Sequence, residues 1–151
     1  MGNKEYAAYH SSSQLYLVKK IKGETFVLLQ QRKGGWADQM WEAGAAGHID
    51  ADEGPADALV HEASEEICVK VNKKDLKFNS VVFKRNKTNE MFYNFSFMCS
   101  KWIGEPKIGE PDKTIQLKWF NIKKLPTNII GDRKVSLSNY LKNIPYSEYV
   151  E

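Results

Sequence analysis

The stretch from Gly47 to Val69 constrains this chain more than any other part of it. Pro55 suits the first position of a helix, where its missing N–H is not needed, and the residues from there to Ile67 favour a helix. Apolar residues recur on one side of this segment, as they do on a helix face that packs on a core: Ala56, Val60, Ala63 and Ile67. The sequence therefore predicts an amphipathic helix over residues 55–67.

A different face of the same helix carries three carboxylates within one turn, at Glu62, Glu65 and Glu66. Like charges at these spacings destabilise a helix by roughly 0.2–0.5 kcal/mol per pair, and no Lys or Arg stands between Lys33 and Lys70 to relieve them. A hard divalent cation would reverse the sign of this interaction, because Mg²⁺ binds through a few carboxylates together with substrate phosphates. The alternative is an acidic helix face exposed to solvent.

The spacing of these residues resembles the Nudix box, G-x5-E-x7-R-E-U-x-E-E-x-G-U, in which U is a bulky aliphatic residue. Here the box begins at Gly47, and every acidic position, including Glu53, is filled at the correct spacing. Three positions depart from the pattern: His61 replaces an arginine, Ala63 a larger aliphatic residue, and Cys68 a glycine.

The departures weaken two contacts that the resemblance implies. The family arginine holds the glutamate that corresponds to Glu53, whereas His61 is shorter and near-neutral at pH 7. The family glycine supplies a left-handed helix cap, and Cys68 pays a steric penalty for that conformation unless the helix ends differently. We expect intact metal ligands beside an atypical loop, with activity that is retained or reduced.

The remaining chain predicts strands that fit the family fold, an α/β/α sandwich around a mixed β-sheet, formed by one domain over residues 1–151. The predicted strands cover 14–21, 25–31, 76–84, 91–99 and 114–120, and an amphipathic helix covers 133–144. A short helical turn is predicted over 121–126. Core positions outside the box are predicted from the apolar patterns: Trp41, the row Met91, Tyr93, Phe95 and Phe97, and the tail residues Val135, Leu137, Tyr140 and Leu141. The alternatives are that Trp41 forms a wall of the pocket and that part of the row floors a base-binding pocket.

The resemblance also implies site residues outside the box. Arg32 follows a strand and either contacts the substrate phosphates or remains a surface charge. A carboxylate of the Gly-Glu-Pro loop completes the metal or general-base set, and Glu110 is preferred over Glu105 and Asp112. Asn121 stands where MutT-type enzymes read a purine edge, although a helix-capping role is equally consistent with its position.

The implied reaction is Mg²⁺-dependent hydrolysis of a nucleoside diphosphate linked to another group, with water attacking a phosphorus; Mn²⁺ is a substitute. The implied metal ligands are the Gly47 carbonyl and the carboxylates of Glu62, Glu65 and Glu66. A glutamate that the metal does not saturate takes the proton of the water, with Glu66, Glu62 and Glu110 as candidates. The first substrate expectation is an unmodified or oxidised nucleoside triphosphate.

Composition limits the other classes of function. The chain has 151 residues, 42% hydrophobic content and a formal charge of +3, which fit one globular domain and do not by themselves indicate nucleic-acid binding. No apolar run is long enough to span a membrane, and the first residues lack a signal-peptide pattern. Two cysteines without metal spacing favour a reducing cytoplasm. A homodimer is the default expectation for assembly.

Two other functions compete with hydrolysis. A Nudix-like domain that binds a nucleotide in order to sense it is favoured by His61, by Cys68 and by Ala46, which stands where the family has a glycine just before the box. The three intact glutamates argue against it. Isopentenyl diphosphate isomerase, which the resemblance places on the same fold, requires a cysteine between Trp41 and Gly47, and that segment contains none.

Overall fold

Two α-helices and eight β-strands form the protein, as seen in a computed structural model that describes residues 4–151. The elements, in chain order, are β1 (His10–Ile21), β2 (Glu24–Arg32), β3 (Trp41–Ala43), β4 (Ala45–His48), α1 (Pro55–Ile67), a 3₁₀ turn (Lys73–Asp75), β5 (Lys77–Arg85), β6 (Met91–Cys99), β7 (Thr114–Asn121), α2 (Gly131–Lys142) and β8 (Tyr146–Val150).

Helix α1 begins and ends at the predicted residues, and the five predicted strands are present with shifts of a few residues at their ends. Three short strands, β3, β4 and β8, were not predicted. Segment 121–126 forms a turn rather than a short helix. Helix α2 begins two residues earlier than the predicted tail helix.

Strand β1 is the centre of the sheet. It pairs antiparallel with β2 and β4 and parallel with β6, and the strand order is β3-β2-β1-β6-β5-β8, with β7 paired to β2. Strands β5 and β8 form a second parallel pair. The sheet is therefore mixed, as predicted.

The two helices lie on opposite faces of this sheet. Leu15 and Leu17 pack in one apolar cluster with Leu59 of α1, whereas Tyr16 packs in a second cluster with Leu137 of α2. Because successive strand residues point to opposite faces, each helix covers its own face. The predicted α/β/α sandwich is confirmed. Neither helix in the described part of the chain is both long and apolar enough to cross a membrane.

The end of α1 resolves the question raised by Cys68. This residue adopts the left-handed conformation, with φ 58° and ψ 33°, and the Val69 N–H donates to the Ala63 carbonyl at 3.2 Å. The chain therefore keeps the cap geometry that glycine usually supplies. Cys68 adopts it with steric strain at its Cβ atom.

The prediction that the aromatic row of β6 forms the core was only partly correct. Phe97 packs against the apolar cluster beside α1, but Tyr93 and Phe95 are only half-buried, and the buried side chains of this strand include Asn94 and Ser96. Helix α2 packs over β5 and β8 and reaches β6 through a hydrogen bond that Asn94 donates to it, whereas α1 packs mainly over β1 and β4.

The predicted apolar contacts of α2 are only partly correct. Leu137 is fully buried and Val135 and Tyr140 are half-buried, but Leu141 is 46% exposed. The buried face carries polar residues instead: Asp132, Arg133, Ser136 and Asn139. Such groups are tolerated inside a protein when their charges and hydrogen bonds are satisfied, and the partners of Asp132 and Arg133 lie at the site described next.

Candidate active site

A cavity of about 560 Å³ opens between the start of β1, strand β4, the start of β6 and the loop over residues 33–40. One end, here called the acidic end, lies against α1, and the opposite inner end lies against α2. Residues that line the cavity include Arg32, Trp36, Gly47, Glu66, Lys84 and Arg133.

Glu66 is the carboxylate that reaches the acidic end. Its oxygens accept hydrogen bonds from Gln30 Nε2 at 2.9 Å and from the Ala46 N–H at 3.2 Å, and Gln30 is held in turn by Thr114. Burial, followed by a hydrogen bond shared with the Glu62 carboxyl group, raises the pKa of Glu66 to about 9.

Gly47 lies directly against Glu62. A Cβ atom at Gly47 would stand 2.6 Å from Glu62 Cδ, which is closer than such atoms approach. The first residue of the box is therefore a glycine because the carboxyl group occupies the space of a side chain. The structure brings Gly47, Glu62 and Glu66 together.

Glu65 and Glu110 lie at the edge of this group. Glu65 is exposed and is not part of the cavity lining. Glu110 is half-buried and pairs with Lys113 at 3.4 Å. Its loop is anchored on the end of α1, because the Gly109 N–H donates to the Glu66 carbonyl at 2.9 Å.

Lys113, the lysine beside Glu110, has its pKa raised by carboxylates of the loop and of the cavity. The hydrogen bond and charge of Glu110 raise the pKa of Lys113, with a smaller contribution from Glu66. The two other carboxylates considered for this role, Glu105 and Asp112, are exposed.

Arg32 and Asn121 have different surroundings. Arg32 lines the cavity, and its Nε donates to the Trp36 carbonyl at 2.8 Å. Asn121 pairs with Phe26 at the far end of β2, six residues from Arg32 or roughly 20 Å along the strand. Its side chain donates to Glu24 and accepts the N–H of Lys123. The structure does not bring Asn121 to the cavity, and its hydrogen bonds are those of a turn cap.

The inner end contains a buried ion pair that the sequence analysis missed. Arg133 donates to both oxygens of Glu42, from Nε at 2.6 Å and from Nη2 at 2.7 Å, and Nη1 donates to Asp132 at 2.6 Å. No local signal indicates this contact, because Glu42 and Arg133 are 91 residues apart.

Lys84 extends the same network. Its Nζ lies 3.3 Å from Asp132 and 3.2 Å from Glu151. Burial opposes ionisation of Asp132, but the charges of Arg133 and Lys84 outweigh burial and lower the pKa of its carboxyl group. We name these residues the inner ion network: Glu42, Lys84, Asp132, Arg133 and Glu151.

The chain matches the model of one protein family over most of its length. The NUDIX domain model matches residues 13–139. The chain belongs to the NUDIX family. Comparison with curated protein sequences gave no match.

Solved structures of Nudix proteins share the fold of this chain. The MutT NUDIX hydrolase from Burkholderia pseudomallei is 21% identical, with a TM-score of 0.74 over 88% of this chain and 98% of that one. The NUDIX domain of Shewanella oneidensis NrtR, complexed with ADP ribose, is 15% identical, with a TM-score of 0.72 over 92% and 90%. A C. elegans Ap4A hydrolase is 16% identical, with a TM-score of 0.66 over 89% and 97%.

The acidic end fits the divalent cation that Nudix proteins generally use. The Glu62 carboxyl group raises the pKa of Glu66, and neither residue forms an ion pair among residues 4–151. Carboxylate oxygens are the ligands that Mg²⁺ prefers. In the same part of the chain, however, no group of three or more acidic, histidine or cysteine side chains forms a ready ligand cluster. The fit therefore rests on this pair and on the adjacent Gly47.

One departure from the Nudix box has a visible outcome. Glu53 accepts the N–H of Asp50 at 3.1 Å, and no hydrogen bond or ion pair joins it to His61 within residues 4–151. His61 is exposed. Glu53 is therefore held by its own loop rather than by the helix.

Proposed function

We propose that this protein is a Mg²⁺-dependent Nudix pyrophosphohydrolase that cleaves a nucleoside triphosphate, unmodified or oxidised, by attack of water on phosphorus. The observation that carries the proposal is the contact between Glu62 and Glu66 beneath Gly47, at one end of a cavity large enough for a nucleotide. The family membership supports the class of reaction, and the resemblance of the C-terminal half of the sequence to MutT-type enzymes supports the choice of substrate.

In this proposal the metal is held by the Gly47 carbonyl and by Glu62, Glu65 and Glu66. Bound Mg²⁺ neutralises the charge of the phosphates and lowers the pKa of the attacking water. Glu65 is exposed at the rim, where it would reach the metal from the solvent side.

The other residues of the chain position the substrate and move the proton. Arg32 lies at the cavity wall with its Nε engaged by Trp36, which leaves the terminal N–H groups available for phosphate oxygens. Glu110 or Glu66 accepts the proton of the attacking water. Glu110 is fixed near the end of α1 by its loop, and this anchoring supports its assignment.

The test is release of phosphate or pyrophosphate from a panel of nucleoside triphosphates, ADP-ribose and dinucleoside polyphosphates, with Mg²⁺ or Mn²⁺. We expect metal-dependent release that is lost in Glu65→Gln and retained in Glu105→Gln, which changes an exposed glutamate of the nearby loop. A comparison of Glu110→Gln with Glu105→Gln tests the general base. Full activity in Glu65→Gln would contradict the metal assignment.

The second candidate is a domain that binds a nucleotide without cleaving it. The observation in its favour is the separation of His61 from Glu53, which leaves the box without its internal tether. Nucleotide binding without release of any product across the panel would favour this candidate. The isomerase alternative has less support, because neither Cys68 nor Cys99 lines the cavity.

Location and assembly remain predictions. Cys68 and Cys99 are free thiols, which agrees with the proposed reducing cytoplasm. A homodimer is expected, with a small-molecule nucleotide and no nucleic acid as the partner in the reaction. Fractionation and size-exclusion chromatography with light scattering would test these expectations.

A further inference from the structure

Trp36 is an exposed aromatic residue at the mouth of the cavity. Its side chain is 54% exposed, although burial of a large aromatic ring is favourable. The loop that carries it is fixed by two hydrogen bonds, from the Gly34 N–H to Asp38 at 2.6 Å and from Arg32 to the Trp36 carbonyl. The ring is thus held in an exposed position rather than left there by a loose loop.

The ring faces the cations of the inner end. Its centroid lies 4.9 Å from Lys84 Nζ and 5.6 Å from Arg133 Cζ, with Arg32 Cζ at 5.1 Å. Lys84 and Arg133 are fixed by carboxylates and line the same cavity. The exposed part of the indole is a surface on which a nucleobase can stack.

The inner end has spare hydrogen-bond donors. Arg133 has five N–H groups and uses three of them in the bonds described above, and Lys84 has three and faces two carboxylates. The Asn94 amide has two N–H groups and donates one to Asp132. Each of the three side chains therefore retains a proton for a ligand.

Most acceptors at the same end are already engaged, and Asp132 Oδ1, which accepts no hydrogen bond within residues 4–151, is buried 3.3 Å from Lys84 Nζ. Both oxygens of Glu42 accept from Arg133, and one also accepts the Ala43 N–H. Asn94 Oδ1 accepts the Ser12 hydroxyl at 2.6 Å. A ligand that enters this end consequently meets donors, and the matching ligand group is a carbonyl oxygen.

We propose that Trp36 and the inner end form a nucleobase subsite that selects bases with a carbonyl oxygen at purine position 6 or pyrimidine position 4 over the amino bases. This inference rests on the proposed function. Trp36 supplies the stacking surface, and Arg133, Lys84 and Asn94 supply the donors. An amino group at that position would place donor against donor and leave these side chains unpaired.

The experiment uses two matched substrate pairs, ITP with ATP and UTP with CTP. Within each pair the ribose, the triphosphate and the ring size are the same. The carbonyl oxygen of one member is replaced by an amino group in the other, and the adjacent ring nitrogen changes from a donor to an acceptor. We expect kcat/KM with Mg²⁺ to be at least 10-fold higher for ITP and UTP than for their partners. Equal values within both pairs would overturn the selectivity.

The role of Trp36 is tested by Trp36→Ala and Trp36→Phe. We expect Trp36→Ala to raise KM for ITP by about 10-fold with little change in kcat, and Trp36→Phe to restore most of the loss. Inorganic tripolyphosphate, which has no base, serves as a competitive inhibitor, and its inhibition constant should be unchanged by either variant. An equal loss of nucleotide and tripolyphosphate affinity would overturn the base-stacking role.

The outcomes separate this inference from the proposed function. If no hydrolysis occurs, calorimetric titration with the same nucleotides replaces the rates. Selective binding of ITP and UTP without hydrolysis would support the subsite and contradict the hydrolase. Hydrolysis without preference would do the reverse, and the absence of binding by all four nucleotides would overturn both.

Discussion

Helices α1 and α2 each carry carboxylates near the cavity, and the surroundings of these carboxylates shift their pKa values in opposite directions. On α1, Glu66 is pressed against Glu62 without a cationic partner, and the pKa of Glu66 rises to about 9. On α2, Asp132 is completely buried but stands between Arg133 and Lys84, and its pKa falls.

The difference shows how to distinguish a cation-binding carboxylate pair from an ion network whose charges compensate one another. A buried charge that the protein compensates contributes to the fold and fixes its neighbours. A carboxylate pair that the protein leaves uncompensated requires a proton or an external cation. Burial alone would have assigned both clusters the same role.

The largest effect is expected from a substitution that removes one carboxylate of the Glu62–Glu66 pair. Glu66→Gln should reduce turnover by roughly 100-fold or more, as removal of an electrostatic catalytic group does. The metal-free protein should keep its stability or gain some, because the free-energy cost of protonating the buried Glu66 carboxyl group at neutral pH disappears. Pyrophosphate release and thermal unfolding in EDTA measure the two effects. Unchanged turnover would show that Glu66 is not part of the catalytic machinery.

A substitution within the inner ion network should lower the stability of the fold. Arg133→Met leaves Glu42 and Asp132 without their main partner, and loss of one member of a buried ion pair costs about 3–5 kcal/mol in the free energy of unfolding. Urea unfolding measures this quantity. The control is Lys134→Met, at the exposed neighbouring residue, which should change it by less than about 0.5 kcal/mol. Equal effects of the two substitutions would contradict the role of the network.

The pH dependence of the metal-free protein should differ between the two clusters. The pKa of Glu66 is raised, so its stabilising contribution is complete below about pH 4.5 and is lost as pH rises towards 9, by an amount on the order of a few kcal/mol. The pKa of Asp132 is lowered, so its contribution is present above about pH 3.8 and is lost in acid.

Urea unfolding in EDTA between pH 5 and 9 tests the first of these signs. Stability should fall as pH rises in the unmodified protein and should be flatter in Glu66→Gln. Added Mg²⁺ should restore more stability at high pH, where the carboxyl group loses its proton more readily. A Glu66→Gln profile as steep as that of the unmodified protein would assign the slope to other groups.

The smallest effect concerns the end of α1. Cys68→Gly should stabilise the protein by about 1 kcal/mol, because glycine has no Cβ to strain at φ 58°. The matched control is Asn143→Gly at the left-handed cap of α2, where φ is 55°. Asparagine adopts this conformation more readily than cysteine, so the control should gain less. A larger gain at Asn143 would mean that Cys68 is not strained.

Most predictions that rest on short separations in the sequence agree with the structure, the helical turn over 121–126 being an exception. Helix α1 runs from Pro55 to Ile67 as predicted, because the proline at its start and the spacing of its apolar residues are local signals. The strand pairs β1–β2 and β5–β6 are present because alternation and turns indicate hairpins. The proximity of Glu62 and Glu66 follows from their spacing of four residues on one helix.

Which helices pack on which strands, and which strand residues pair with each other, depends on the tertiary structure. The aromatic row of β6 is half-buried because α1, on the same side of the sheet, packs mainly over β1 and β4 rather than over this strand. Asn121 lies far from the cavity because antiparallel pairing places it opposite Phe26 rather than Arg32. Neither result depends on residues close to it in the sequence.

The sequence by itself determined the family, the order of the main elements and the set of acidic residues on α1. Only the tertiary structure showed the inner ion network and the position of Trp36 above it. The physical reason is that Glu42, Lys84 and Arg133 come from three separate elements, and a charge that is buried in the fold is indistinguishable in sequence from a charge that is exposed to solvent.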